Sequence, residues 1–151
     1  MQFTIKNVLA MRKLGGVIAR SSMSGTIFYL QGPLGTGKTT FVHGFIKKIG
    51  YQGQVKSPTF NLLEIYQVDK QIICHFDLYR LKQPEELVYI GVTDYFNKKN
   101  VCLIEWPENG GRFLPAQDLL CCFDFAKKSS VRVVQMIPNS PLGENILKQV
   151  N

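Results

Sequence analysis

Long apolar runs are missing from this chain: none of its 151 residues falls in a stretch approaching the roughly 18 needed for a membrane span. The N-terminus, Met1-Gln2-Phe3-Thr4-Ile5-Lys6, carries no secretory apolar core. The expectation is a cytoplasmic protein with no membrane partner. Cysteines are also few, and Cys74, Cys102, Cys121 and Cys122 have no C-x-x-C spacing and lie in apolar, strand-like segments. That pattern argues against a zinc ribbon or a disulfide scaffold and for buried free thiols. Acidic residues are scarce, 11 against 18 lysines and arginines, for a formal net charge of +7. An excess of this sign suits an acidic partner such as nucleic acid. The lysines are scattered, however, with doublets only at Lys47-Lys48, Lys98-Lys99 and Lys127-Lys128, so a solvated basic surface fits equally well.

What is present is a hydrophobic fraction of 45% in a chain long enough for one domain with its own core, spanning 1–151. Its most informative stretch is Gly32-Pro33-Leu34-Gly35-Thr36-Gly37-Lys38-Thr39. It has the spacing of a phosphate-binding P-loop and follows the apolar segment Thr26 to Leu30, which reads as a buried strand. Behind it, Phe41, Phe45 and Ile49 recur at steps of four, one face of a helix closed by Gly50. At such a helix start the unpaired backbone N–H groups and the helix dipole favour an anion. Gly32 and Gly37 keep side chains out of the way. Lys38 is placed to reach β- and γ-phosphates, and the Thr39 hydroxyl to take one position on Mg²⁺. Pro33 has no N–H to offer and belongs on the ascending limb of the loop.

Around this unit the pattern predicts an N-terminal helix capped by Asn7, with Val8, Leu9, Leu14, Val17 and Ile18 as its apolar positions. A hairpin follows, Phe60 to Tyr66 returning through Ile72 to Asp77, then a short helix opened by Pro84 and closed by Gly91. The continuous run Val101-Cys102-Leu103-Ile104 marks a strand covered on both faces, and Pro107 to Pro115 reads as loop. Strands near Leu119 to Phe125 and Val131 to Ile137 and a helix after Pro141 complete an α/β sandwich.

Phosphoryl transfer also requires acids. Glu105 ends the Val-Cys-Leu-Ile run at the C-terminal edge of the sheet, where ligands of open α/β folds bind. In His75-Phe76-Asp77-Leu78-Tyr79-Arg80, alternation puts His75, Asp77 and Tyr79 on one face of a strand. Asp77 suits a magnesium-bound water or the attacking water; a His-Asp pair is ordinarily a structural hydrogen bond. Ser57-Pro58-Thr59 lies where nucleotide hydrolases place switch segments, although a proline-stiffened turn reads the same way.

Taken together, G-P-L-G-T-G-K-T-T, S-P-T-F from Ser57, H-F-D-L-Y-R from His75, P-E-E-L before Gly91 and L-I-E-W-P-E from Leu103 resemble the TsaE family over nearly the whole chain. The resemblance implies a P-loop NTPase-like three-layer α/β sandwich with a mostly parallel central sheet and added antiparallel strands. It implies an ATPase of tRNA threonylcarbamoyladenosine formation that works with TsaB and TsaD, with tRNA within that assembly. Such a protein does not transfer the threonylcarbamoyl group; it uses ATP to reset its partners. Residue by residue, the match makes Gly35, Thr36, Gly37, Lys38, Thr39 and Thr40 the phosphate cradle, beside Gly32. Thr39 and Glu105 become magnesium ligands, Asp77 and Trp106 further residues needed for activity, Thr59 a switch residue, and Arg132 a neighbour of the nucleotide. Departures are Pro33 where the family usually has Asp, Thr36 where it often has Ala, and Met11 in place of a hydroxyl residue.

The expected reaction is attack of water on the γ-phosphate of Mg-ATP, with Asp77 and Glu105 able to exchange the roles of aiming water and holding metal. Arg80 is the one arginine near these motifs, so turnover is expected to be slow without partners. A small-metabolite kinase shares the P-loop, but only five arginines exist and none falls between Arg20 and Arg80, against the arginine-rich lid of such enzymes. A non-catalytic nucleotide sensor or RNA-binding module is the other alternative. The lack of a guanine-reading N-K-x-D motif leans toward adenine.

Overall fold

The computed structural model describes residues 1–58, 60–127 and 130–150. Its organising element is β2 (Ile27–Gln31), an apolar strand flanked on both sides by parallel partners, β5 (Asn100–Glu105) and β6 (Leu119–Phe125). β4 (Gln71–Asp77) adds in parallel to β5. Around this parallel centre the remaining strands run antiparallel: β3 (Leu63–Val68) on β4, β7 (Arg132–Pro138) on β6, and β1 (Gln2–Ile5) on β7. The sheet order is β1-β7-β6-β2-β5-β4-β3.

Alternation along the central strands gives two cores. Phe28 and Leu30 of β2, Leu103 of β5 and Phe123 of β6 face α1 (Val8–Ser21), α2 (Lys38–Lys48) and α4 (Pro141–Val150). Ile27, Cys74, Phe76, Cys102 and Ile104 face the opposite way, under α3 (Glu86–Tyr89) and neighbouring 3-10 turns. The resulting three layers are unequal, with the thicker helical layer behind β2. There Phe45 meets Phe28 edge-on at 5.7 Å and Phe41 meets Phe123 at 5.6 Å, an arrangement that adds to plain apolar burial. Cys74, Cys102 and Cys121 are buried as free thiols.

α1 starts where expected, with the Asn7 side chain accepting from the Ala10 N–H at 2.8 Å. It crosses α2 at very close range: a Cβ on Gly44 would lie 2.0 Å from the Arg12 carbonyl oxygen, and one on Gly15 2.1 Å from that of Phe41. This contact rotates the helix so that Met11, Leu14 and Ile18 form its buried stripe, while Val8 and Leu9 stay exposed at 61% and 76%. Val8 and Leu9, apolar positions of helical spacing in the sequence, therefore lie outside the buried face.

Three further differences have local causes. The hairpin begins at Leu63 rather than Phe60, because Leu62 adopts a left-handed φ of 61° and donates its N–H to the Pro58 carbonyl. β1 had no counterpart in the sequence reading; four residues with a mixed exposure pattern become a strand by pairing with distant β7. The span from Pro107 to Pro115 contains two short 3-10 turns instead of plain loop. Among the described residues, no helix is long and apolar enough to cross a membrane.

Candidate functional site

β2 delivers the chain into the glycine loop at the C-terminal edge of the sheet, and α2 carries it away. Gly32, Gly35 and Gly37 all have positive φ, at 140°, 80° and 103°. Gly32 has a second reason to be glycine: a Cβ there would sit 2.0 Å from the Phe123 carbonyl oxygen of β6. Thr36 is fully buried and its hydroxyl donates to the Pro33 carbonyl at 2.7 Å, so its side chain braces the loop. Underneath, Met11 packs against the space beside Gly37, which explains how an apolar residue serves at that helix position.

Lys38 is only 4% exposed and folds back on its own loop, donating to the carbonyls of Gly32 at 2.6 Å and Pro33 at 3.0 Å. Its ammonium lies 4.2 Å from the centre of the Trp106 ring. Burial lowers its pKa, opposed by the nearby carboxylates of Glu105, Glu108 and Asp77. Trp106 takes a left-handed φ of 57°, unusual for a bulky residue. It keeps its N–H on the Leu30 carbonyl at 3.2 Å while the ring turns toward Lys38 and meets the Tyr79 ring at a 45° tilt, centroids 4.9 Å apart.

The acids come from adjacent strands. Asp77 and Glu105 are register partners at the ends of parallel β4 and β5, so their side chains leave the same face. Glu105, 2% exposed, lies with its two oxygens 3.0 and 3.1 Å from the Thr39 hydroxyl, which donates to it. One of those oxygens is also 2.9 Å from His75 Nε2. Asp77 accepts the Tyr79 N–H at 3.1 Å. Burial raises its pKa, and the Glu105 carboxylate raises it further.

Gly35, Gly37, Lys38, Thr39, Thr40, Asp77, Glu105 and Trp106 thus converge on one cleft of about 460 Å³, joined by Ser57, Tyr79 and Arg80. Arg132 approaches from β7, its guanidinium 3.5 Å from the Gly35 carbonyl oxygen. Thr59 lies outside the described residues. Alternation along the strand suggests a structural hydrogen bond between His75 and Asp77. The structure corrects the partner to Glu105, reached across the β4–β5 ladder rather than along the strand. Tyr79, the other addition, was legible only as a residue sharing the Asp77 face.

The donor set fits magnesium and phosphate. A hydroxyl and a carboxylate in contact are hard oxygen ligands, and no cluster of three or more His, Cys, Asp or Glu among the described residues could cage an ion alone. That combination suits a cation that keeps waters and shares phosphate oxygens.

Strand, glycine loop and helix in this order, on a sheet with a parallel centre, define an α/β protein of the P-loop class. Residues 5–133 match the family model described as "Threonylcarbamoyl adenosine biosynthesis protein TsaE". The chain belongs to the TsaE family of tRNA threonylcarbamoyladenosine biosynthesis proteins. It is 48% identical over 119 residues to the TsaE protein of Haemophilus influenzae, covering 79% of this chain and 74% of that one. It is 36% identical over 110 residues to that of Bacillus subtilis, covering 73% and 66%. Against the TsaE protein of Rickettsia felis it is 44% identical over 98 residues, 64% of this chain and little more than half, 57%, of the relative. In three dimensions it resembles the crystal structure of Bacillus subtilis YdiB, with a TM-score of 0.82 over 99% of this chain and 93% of that one. Their 23% sequence identity makes this a likeness of fold.

Proposed function

We propose that this chain is a magnesium-dependent ATPase, slow alone and stimulated by TsaB and TsaD, in forming the threonylcarbamoyl group on adenosine beside the anticodon of tRNAs reading codons that start with A. The observation that carries the reading is the Thr39–Glu105 contact, a hydroxyl and a carboxylate 3.0 Å apart at the mouth of the glycine loop. When bound there, Mg²⁺ would neutralise charge developing on the phosphate oxygens.

The chain's own residues supply the rest. Backbone N–H groups from Gly35 to Thr40 bind the phosphates. Lys38 exchanges the carbonyls of Gly32 and Pro33 for phosphate oxygens. Thr39 and Glu105 hold the metal, while Asp77, its carboxyl predisposed by burial toward keeping a proton, orients the attacking water. Arg80 lines the cleft but its guanidinium rests 4.6 Å from the Phe60 ring centre. A missing arginine contribution of this kind costs about 10³–10⁵ in rate, which is the basis for expecting partner dependence.

The test is release of phosphate from labelled ATP by the purified chain, alone and with TsaB, TsaD and tRNA. Slow, magnesium-requiring release that rises with the partners is expected. No release under any of these conditions sinks the enzymatic reading, and a rate indifferent to TsaB and TsaD sinks the proposed partnership.

A further inference from the structure

On the helical layer, away from the cleft, α1 and α2 border a groove of about 970 Å³ that takes in Gly16 and Gly44 of their close contact. Five cations line it: Arg12, Lys13 and Arg20 from α1, Lys47 and Lys48 from α2. No acidic residue lines it, and neither helix contains one. The ion pairs found among the described residues, His75–Glu105, Arg112–Glu85 and Lys148–Glu144, lie elsewhere. Lys47 is tied internally to the carbonyls of Gly53 at 2.7 Å and Gln52 at 3.5 Å. The lysines at the end of α2 complement their own helix dipole, but Arg12 and Lys13 sit in the interior of α1, where that explanation does not reach.

Between the cations the groove is apolar. Leu9, Val17 and Val55 line it, and Leu9 is 76% exposed beside a Val8 that is also bare. Its walls are two helices, and α1 is about 20 Å long, the length of roughly four turns of a partner helix. Phe, Tyr and Trp are absent from the lining, and the groups in it that could stack on a base are His43 and the guanidiniums of Arg12 and Arg20, which is why an RNA arm belongs in the test. An apolar trough with a basic rim complements one kind of surface: leucine-like residues along one stripe of a helix and carboxylates beside them.

The geometry points to a docking site for an acidic amphipathic helix of another protein in the α1–α2 groove. It goes beyond the nucleotide reading and stands independently of it, since none of these groove residues lines the cleft.

The probe is a designed peptide of about five helical turns with leucines on one face and glutamates flanking them, measured by calorimetry against the full chain. A scrambled peptide of the same composition and an unmodified tRNA transcript are run beside it. The variants are R12E/K48E for the rim and Leu9→Ser for the trough, with thermal melts showing that both fold. The amphipathic peptide is expected to bind the wild type more tightly than its scramble. Charge reversal is expected to weaken it about tenfold or more, and Leu9→Ser by about tenfold, the lower end of one buried leucine's worth. Absence of binding at about 1 mM, a weak limit on the affinity scale, overturns the inference. So do equal affinity for the scramble and equal affinity of the variants. Binding of tRNA that is lost in R12E/K48E, without peptide binding, overturns it in favour of an RNA surface.

Discussion

Glu105 can be replaced in two ways that separate its architectural and chemical parts. Its oxygens accept from Thr39 at 3.0 and 3.1 Å and contact His75 at 2.9 Å, in a position 2% exposed. Alanine leaves fully buried His75 without an acceptor, at about 1–3 kcal/mol, whereas half-buried Thr39 is open to water from the cleft. Relief of the repulsion from Asp77 offsets part of this, so a net loss of about 1–2 kcal/mol is expected. Glutamine keeps the shape: its carbonyl can face His75 and its amide the Thr39 oxygen, and stability should stay within about 1 kcal/mol of wild type. What glutamine loses is the charge offered to the cation, and a loss of about 3 kcal/mol of transition-state stabilisation is roughly a hundredfold in rate. Urea unfolding at neutral pH measures the first pair of numbers; ATP turnover across a magnesium titration with TsaB and TsaD present measures the last. Wild-type turnover by Glu105→Gln at saturating magnesium would refute the metal assignment, and an alanine variant as stable as the glutamine one would refute the hydrogen-bond argument.

Asp77 predicts a pH dependence. Burial and then the Glu105 carboxylate raise its folded pKa above the ordinary 3.8, so the native state holds a proton that the unfolded chain has released. Its contribution is complete below the unfolded value and disappears as pH rises through the folded one. Asp77→Asn should therefore be more stable than wild type at neutral pH and show a flatter urea midpoint as pH rises above the ordinary carboxylate value; a steeper profile would contradict the sign. Because Lys38 sits 4.2 Å from the ring centre of the single tryptophan, Mg-ATP should change Trp106 emission as the ammonium moves. Lys38→Met should shift the ligand-free spectrum and abolish the response; an unresponsive wild type that binds ATP by calorimetry would disprove the movement. Gly44→Ala puts a methyl 2.0 Å from the Arg12 carbonyl oxygen, and overpacking of this kind should cost about 1–3 kcal/mol in chemical denaturation. A neutral effect would mean that the two helices are free to separate.

The parts legible in the sequence are those encoded by contiguous patterns. The glycine loop needs its residue types at fixed offsets, and the central strands need unbroken apolar runs because both faces are covered. Thr39 and Glu105 could be named as partners because one opens a helix and the other ends a strand at the same sheet edge. The features that escaped depend on distance across the fold. β1 is too short and too mixed to read alone and exists through β7. His75 shares a face with Asp77, yet its acceptor comes from β5, a contact that only strand register reveals. Val8 and Leu9 have helical spacing, but the glycine crossing turns them away from the core. Trp106 is singled out only by the family resemblance, and its left-handed backbone, which aims the ring at Lys38, has no signature beyond the proline that follows.

The sulfur atoms of Cys74, Cys102 and Cys121 are sealed between the layers; the hydrogen bond with Cys74, and then burial, pushes the Cys102 thiol up, and burial pushes up that of Cys121, further from their reactive anions. Cys122, partly accessible on β6, is the exception. A thiol reagent therefore meets one slow target and three that become available only when the strands come apart. Labelling in native buffer becomes a clock for opening of the sheet, one that a ligand held in the glycine loop slows.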